Sequence, residues 1–337
     1  MIKEAIKEIA EGKNLSYETA EAVMNEIMSG KASDIEISSY LTALRMKGET
    51  TDEITACAEG MRKAGIHLKH DGMEVLEIVG TGGDEAFTFN ISTVSGFVVS
   101  AAGVPVAKHG NRSVSSKCGA ADCLESLGVK LDIPVEKSEK ILRDIGMCFM
   151  FAQKYHSSMK YVAPVRKALG LRTVFNILGP LANPADAEYQ LMGVYDEKLL
   201  RPMAEVLSKL GVKRAMTVHG GDGLDEITMT TVTKACLVDN GKITEMVINP
   251  EDYGFRLCKS DELVGGNPQI NKQIALDILS GKEKGAKRDV VILNSAVCLF
   301  IAGKGTIAEC IDIAQKQIDS GKAMKQLEMF VKLSNEE

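Results

Sequence analysis

The sequence predicts a small helical N-terminal part followed by a larger α/β unit with a mainly parallel sheet. Three observations carry that expectation. The first 65 or so residues hold capped, amphipathic helix patterns and no strand signal. From residue 73 onward short apolar runs alternate with helical patterns of about 10–15 residues. Glycine-rich polar loops follow several of those runs, where parallel sheets bind their ligands.

The elements follow in order. "MIKEAIKEIAEGKN" is amphipathic and carries acids, unlike a signal or transit peptide. "SDIEISSYLTALRMKG" opens at Ser33 with Glu36 three residues on, a capping box, and stops at Gly48. "TTDEITACAEGMRKAG" repeats the design with Thr50, Glu53 and Gly65. Apolar spacings of three and four in both favour a helical bundle. "VLEIVG" then reads as a buried strand, "STVSGFVVSAAG" as a helix ending at Gly103, and "VPVAKHG" as a second strand. "GAADCLESLG" is a helix closed by Gly128, and "PVEKSEKILRDIG" is one opened by Pro134. "MCFMFA" and "YQLMGVY" read as strands, "EKLLRPMAEVLSKLG" as a helix and "RAMTVHGG" as a further strand. The chain after about residue 325 is expected to be a last helix that frays. No internal repeat or low-complexity stretch interrupts this pattern.

At 337 residues and 45% apolar, the chain can bury one large core or two smaller ones. The net charge is −6 with 26% charged residues well mixed, which argues against a general nucleic-acid or membrane-surface binder. Positive charge for an anionic ligand must therefore be local. The eight cysteines (57, 118, 123, 148, 236, 258, 298, 310) form no CxxC pair, and several sit in apolar runs such as "SAVCLFIAG". They read as reduced core thiols of a cytoplasmic protein, with no spacing for a zinc site or a disulfide framework. No stretch reaches the ~18 uninterrupted apolar residues of a membrane helix.

Three loops hold the unusual chemistry: residues 80–93, 108–119 and 219–228. In "GTGGDEAFTFNIST", glycines bare the backbone N–H groups, and Asn90, Ser92 and Thr93 add donors at an expected helix start, a good anion site. The spacing is neither GxGxxG nor GxxxxGK[ST], and a turn without function is the plain alternative. Asp84 adds a negative charge that a bare phosphate would not welcome. "KHGNRSVSSKCG" crowds Lys108, His109, Asn111, Arg112, Ser113, Ser115 and Ser116 together. Lys108 follows a buried strand, so its charge is expected to emerge at the ligand edge, and Arg112 is expected to grip phosphate bidentately. The alternative is a solvated charge run, but the stretch is polar throughout and has no helical stripe. Two such loops after neighbouring strands suggest a ligand with two phosphate groups at opposite ends. "HGGDGLDEIT" offers Asp222, Asp225 and Glu226, either a solvated acidic turn or a seat for one or two hard cations. His156 reads first as a hydrogen-bonded structural histidine. Arg166 is either a surface residue or a carboxylate anchor.

"GTGGD…NIST", "KHGNRSVSS", "APVRKALGLRTVFNILGPLANP" and "GLDE", in that order, resemble the anthranilate phosphoribosyltransferase family over about residues 1–325. The resemblance implies a nucleoside phosphorylase/phosphoribosyltransferase-like fold, with a hinge between its two parts. A small helical domain would span residues 1–70, completed by helices around 163–185, and an α/β domain would span 71–162 and 186–337. It also implies a homodimer, two Mg²⁺ ions, and transfer from phosphoribosyl pyrophosphate (PRPP) to anthranilate, giving N-(5-phosphoribosyl)anthranilate and pyrophosphate in tryptophan biosynthesis.

Carried over by position, the resemblance implies PRPP contacts at Gly80, Gly83, Asp84 and Thr88, with Asn90, Ile91, Ser92 and Thr93 beside them. Lys108, His109, Gly110, Asn111, Arg112, Ser113, Val114, Ser115 and Ser116 would form the second side of the cradle. Ser92 and Glu226 would ligate one magnesium, Asp225 and Glu226 the other. Gly80, Asn111 and Arg166 would line the anthranilate path. Asp84 would then act on a metal-complexed pyrophosphate or its water shell, which resolves its presence in an anion loop. Two positions depart from the family pattern: Ala120 stands where a serine is usual, removing one hydroxyl contact to PRPP, and Ser157 follows His156 where proline is common.

Anthranilate's amine is a poor nucleophile, so catalysis is expected to come from helping pyrophosphate leave through an oxocarbenium-like transition state. The amine proton would pass to water, to His109 or to anthranilate's own carboxylate. A pyrimidine nucleoside phosphorylase would share the layout but carry a KHSTGG-type loop. A non-catalytic nucleic-acid binder would need neither the acidic pair nor the net negative charge.

Overall fold

Four helices come first: α1 (Ile2–Ala10), α2 (Tyr17–Met28), α3 (Asp34–Lys47) and α4 (Thr51–Lys63). The computed structural model describes residues 1–113 and 116–336 of the chain. Both expected capping boxes form, at Ser33–Glu36 and Thr50–Glu53. Each satisfies N–H groups that the first helical turn leaves orphaned, worth ~1 kcal/mol per cap. Glu53 is fully buried, and its carboxylate also accepts from Leu15 N and Lys47 Nζ, each at 2.9 Å.

The sheet begins with β1 (Leu76–Gly80), α5 (Ile91–Ala101) and β2 (Val106–Gly110), then α6 (Ala120–Ser126), α7 (Val135–Ile145) and β3 (Met147–Phe151). The short helices α8 (Ala152–Tyr155), α9 (Ala163–Leu169) and α10 (Phe175–Leu181) follow. Val165, Phe175, Leu178 and Leu181 join the same apolar cluster as Val23, Tyr40 and Leu44 of the first helices. β4 (Tyr189–Gly193), α11 (Leu200–Lys209) and β5 (Arg214–Gly220) complete the parallel strands. A hairpin that the sequence reading did not include, β6 (Thr233–Asp239) and β7 (Lys242–Ile248), then extends the sheet antiparallel. Its turn is Asn240–Gly241, both at positive φ (47° and 84°), as a tight hairpin requires. The order is β3-β2-β1-β4-β5-β6-β7, parallel from β3 to β5.

α12 (Pro268–Leu279), α13 (Ala286–Ile301), α14 (Ile307–Asp319) and α15 (Lys322–Asn335) close the chain. α13 is buried throughout from Val290 to Leu299 and packs on α5. The expected frayed tail is corrected. α15 buries Leu327 and Phe330, the latter 6.2 Å from the Phe97 ring, and Ser334 Oγ accepts from Lys130 N at 3.1 Å.

At the end of α10, among the described residues, only Gly179 O keeps a backbone partner, the Ala182 N–H at 3.3 Å, and four side chains reach the carbonyls of residues 179–182. His109 Nδ1 lies 3.3 Å from Gly179 O and His156 Nε2 2.8 Å from Ala182 O. Gln190 Nε2 donates to Pro180 O and Arg62 Nε to Leu181 O, both at 2.7 Å. A carbonyl only accepts, so His109 carries its proton on Nδ1 and His156 on Nε2. All eight cysteines are free, and only Cys258 is not buried. Among the described residues no helix is long and apolar enough to cross a membrane.

Candidate functional site

The strand order reverses between β1 and β4, and the crevice beyond their carboxyl ends is where open α/β sheets bind ligands. All three expected loops meet there. Gly82 N donates to Asp225 Oδ2 at 2.6 Å, Ser92 N to Glu226 Oε1 at 3.3 Å, and Asp225 N to Asp84 Oδ2 at 3.4 Å. Lys108 Nζ approaches Ser92 Oγ at 3.4 Å, and Asn90 Nδ2 donates to Cys118 O at 3.1 Å.

Two glycines make the meeting possible by leaving space. A Cβ at Gly80 would lie 2.3 Å from Asp225 Oδ2, and one at Gly193 would lie 1.5 Å from Asp225 O. Gly83 is needed for its conformation, with φ at +82°, and Arg172 Nη2 donates to its carbonyl at 2.6 Å. Arg172 is itself steadied over the Tyr195 ring at 4.1 Å.

Burial pushes the Asp225 carboxyl up from its ordinary range, and the charge of Asp84 pushes it further. Burial and then Asp225 push Glu226 up, while Lys108 opposes them. Neighbouring carboxylates that each resist ionisation are a poor arrangement for a bare protein and a good one for a divalent cation. Among the described residues no three His, Cys, Asp or Glu side chains form a preformed cage. A hard ion such as Mg²⁺ takes one or two carboxylates plus oxygens of a phosphate ligand. Asp222 lies apart from this pair. Its carboxylate accepts from Thr228 and Thr230 hydroxyls at 2.7 and 2.6 Å and so shapes the turn.

Lys108 corrects the sequence expectation: its charge does not emerge. The side chain is 2% exposed and donates to Ile78 O at 2.5 Å, beneath the loops rather than at their surface. Burial lowers its pKa, and the charges of Glu77 and Glu226 oppose that shift. His109 is also buried, and burial pushes its pKa down to about 3, with the His156 ring adding to the effect. The two rings stand edge to face at 5.1 Å, and among the described residues Nε2 of His109 has no partner. His156 fits its structural reading, held through Ala182 O.

Arg112 is occupied rather than poised for phosphate. It donates to Asp122 Oδ1 at 3.0 Å and Glu125 Oε1 at 2.9 Å, which raise its pKa. Ser113 N donates to Asp122 Oδ2 at 3.0 Å, and the Ser113 and Ser116 hydroxyls meet at 3.0 Å. Asn111 Oδ1 accepts from Arg112 N at 2.8 Å, Gly110 ends β2, and Ala120 opens α6. Val114 and Ser115 lie outside the described residues. Thr88 pairs with Val264, while Ile91 and Thr93 are fully buried. Arg166 stands on α9, half-buried over the Phe175 ring at 5.7 Å. Burial alone lowers its pKa, and among the described residues no carboxylate answers its charge.

Several residues of the site escaped the sequence reading. Glu77, fully buried, accepts from His109 N at 2.9 Å and from Asn183, whose Nδ2 also donates to Ala107 O at 2.9 Å. Asn294 Oδ1 accepts from Ile227 N at 3.1 Å, fixing the residue after Glu226. A charged residue inside the apolar run "VLEIVG" and a glycine inside "YQLMGVY" were available signals for Glu77 and Gly193.

The glycosyl transferase family α/β domain matches residues 72–324, and the helical bundle domain of the same family matches residues 3–65. An anthranilate phosphoribosyltransferase of Lachnoclostridium phytofermentans is 60% identical over 336 residues, covering 99% of both chains. The crystal structure of anthranilate phosphoribosyltransferase from Thermus thermophilus superposes with a TM-score of 0.93 at 40% identity, covering 98% of this chain and 99% of that one. The Saccharomyces cerevisiae enzyme in complex with PRPP and Mg superposes with a TM-score of 0.91 at 27% identity, covering 99% and 97%.

Proposed function

The chain belongs to the anthranilate phosphoribosyltransferase family, and from that premise we propose how its site works. The protein is a pentosyltransferase that moves the phosphoribosyl group of PRPP to the amine of anthranilate and releases pyrophosphate, a step of tryptophan biosynthesis. One observation carries the assignment of the site: the three loops converge at the β1–β4 switch point around Asp225 and Glu226.

Gly80, Gly83, Asp84, Thr88 and residues 90–93 form one side of the PRPP cradle. Residues 108–116 and Ala120 form the other. Lys108 contributes from beneath, 3.4 Å from Ser92 Oγ, where it opposes the upward shift of Glu226. Arg112 must release Asp122 and Glu125 before it can grip phosphate. Ser92 with Glu226 would hold one Mg²⁺ ion, and Asp225 with Glu226 a second. The ion supplies positive charge against the pyrophosphate when bound. Asp84, hydrogen-bonded to Asp225 N, orients that pair. Backbone N–H groups of the first loop favour the departing anion.

Arg166, with Gly80 and Asn111, holds anthranilate by its carboxylate so that the amine faces the sugar. The low basicity of His109 favours water or anthranilate's own carboxylate as the proton's destination. Residues 1–70 with 163–185 act as a helical unit beside an α/β unit of 71–162 and 186–337; Val165 and Leu178 packing among Val23 and Leu44 supports the grouping, and the same cluster runs on into Met203 and Leu207 of α11, so the two units share a core. A homodimer is supported by α3, where Ile35 and Met46 are 78% and 83% exposed on one helix face. A cytoplasmic location is supported by eight free cysteines.

The test follows anthranilate fluorescence on adding PRPP and Mg²⁺. Fluorescence should fall, and EDTA should prevent the fall. A chain that leaves anthranilate unchanged under these conditions lacks the activity.

A further inference from the structure

We infer that Asn271, with Gly265, is a positioning residue for PRPP binding: it sets the Asn90 side chain and thereby locks the first loop to the second. The inference rests on the reading of those loops as the PRPP cradle.

Residues 263–267 run antiparallel along the first loop, with Gly265 N donating to Phe87 O at 3.0 Å and Phe89 N to Leu263 O at 3.3 Å. The approach is so close that a Cβ at Gly265 would lie 2.6 Å from Phe89 Cα and 2.7 Å from Asn271 Oδ1. The loop it backs needs support, because Glu85 and Phe87 hold positive φ values of 58° and 53°. Non-glycine residues pay for that conformation and keep it only where neighbours enforce it.

Asn271 is 2% exposed, one turn inside α12, whose start is capped by Asn267 Oδ1 accepting from Ile270 N at 3.0 Å. Its Oδ1 accepts from Gly266 N at 2.7 Å, and its Nδ2 donates to Asn90 Oδ1 at 2.9 Å. Those two bonds leave the Asn90 amide a single orientation. Asn90 Oδ1 must accept, which it also does from the Cys118 thiol at 3.4 Å, while its Nδ2 donates to Cys118 O at 3.1 Å. The chain of contacts thus runs from α12 through Asn90 into the second loop. Gly80 and Asn111 belong to these loops, but Arg166, which takes the anthranilate carboxylate, stands on a different element, so loss of the brace should tell chiefly on PRPP.

The experiment measures kcat, both KM values and melting temperature for the wild type, Asn271→Ala, Gly265→Ala, Asn90→Ala and the Asn90→Ala/Asn271→Ala pair. Asn271→Ala and Gly265→Ala should each raise the PRPP KM about tenfold or more and move the anthranilate KM by less than about twofold. The double variant should match Asn90→Ala alone, since both act through one route. If Asn90→Ala raises the PRPP KM but Asn271→Ala does not, the brace is wrong and the cradle stands. If Asn90→Ala itself leaves the PRPP KM unmoved, the cradle reading fails at this residue and the brace with it. A lower melting temperature with unchanged KM values assigns Asn271 to folding alone and overturns the inference. Should Asn271→Ala not fold, Asn271→Ser and Gly265→Ala decide the matter on the same readouts.

Discussion

The backbone carbonyl of Asp225 fills the space in which Gly193 would carry a side chain, 1.5 Å from an ideal Cβ. β4 ends at that glycine, so the contact sets how the acidic pair stands over the sheet. Gly193→Ala should move Asp225 and lower kcat/KM by about a hundredfold, with about 1–3 kcal/mol of lost stability from overpacking. Steady-state kinetics beside thermal melting would reveal it. Wild-type kinetics in this variant would mean that the site does not depend on the contact.

Asp225→Asn with Glu226→Gln should abolish turnover at any practical Mg²⁺ concentration. The same pair should not lower the melting temperature, because it removes two carboxyls that burial and mutual repulsion disfavour. Near-normal rates across a Mg²⁺ titration would end the metal assignment.

Arg166→Ala should raise the anthranilate KM about 10–100-fold, the worth of a charge-assisted hydrogen bond of about 1.5–3 kcal/mol. The PRPP KM should stay within about twofold. Equal effects on both substrates would remove Arg166 from the anthranilate path.

His109 makes stability depend on pH. Its pKa falls from 6.5 to about 3 on folding because burial disfavours the charged ring. Between those values the unfolded chain binds a proton that the folded one refuses. Its contribution is therefore complete above pH 6.5 and drains away as pH falls toward 3. The slope is about 1.4 kcal/mol per pH unit for one proton. Chemical denaturation at several values below neutrality should give a slope shallower by about one proton in His109→Gln than in wild type. Equal slopes would show that the folded protein accepts the proton.

The parts of this molecule that were readable from sequence have local causes. Ser33 with Glu36, and Thr50 with Glu53, mark helix starts within four residues, and both boxes form. The glycines and hydroxyls of the three loops are clustered along the chain, so the loops could be found even though their meeting could not be measured. The β6–β7 hairpin was missed although Asn240–Gly241 is a strong local turn signal between β-prone runs. The burial of Lys108 is a different kind of miss, since the Ile78 carbonyl it reaches belongs to the neighbouring strand, 30 positions away. Asn183–Glu77 and Asn271–Asn90 join residues 106 and 181 positions apart. No periodicity or spacing points to such pairs.

The end of α10 has a mechanical meaning. Three of the four side chains that seize its carbonyls, those of His109, His156 and Gln190, come from β2, the segment after β3, and β4, while Arg62 alone reaches across from the first four helices. Residues 179–182 are therefore anchored to the sheet as an axle is to its frame. The N-terminal helices reach the same segment through Arg62, which also pairs with Asp186 at 3.1 Å, so the end of α10 is the rivet that joins the helical part to the sheet.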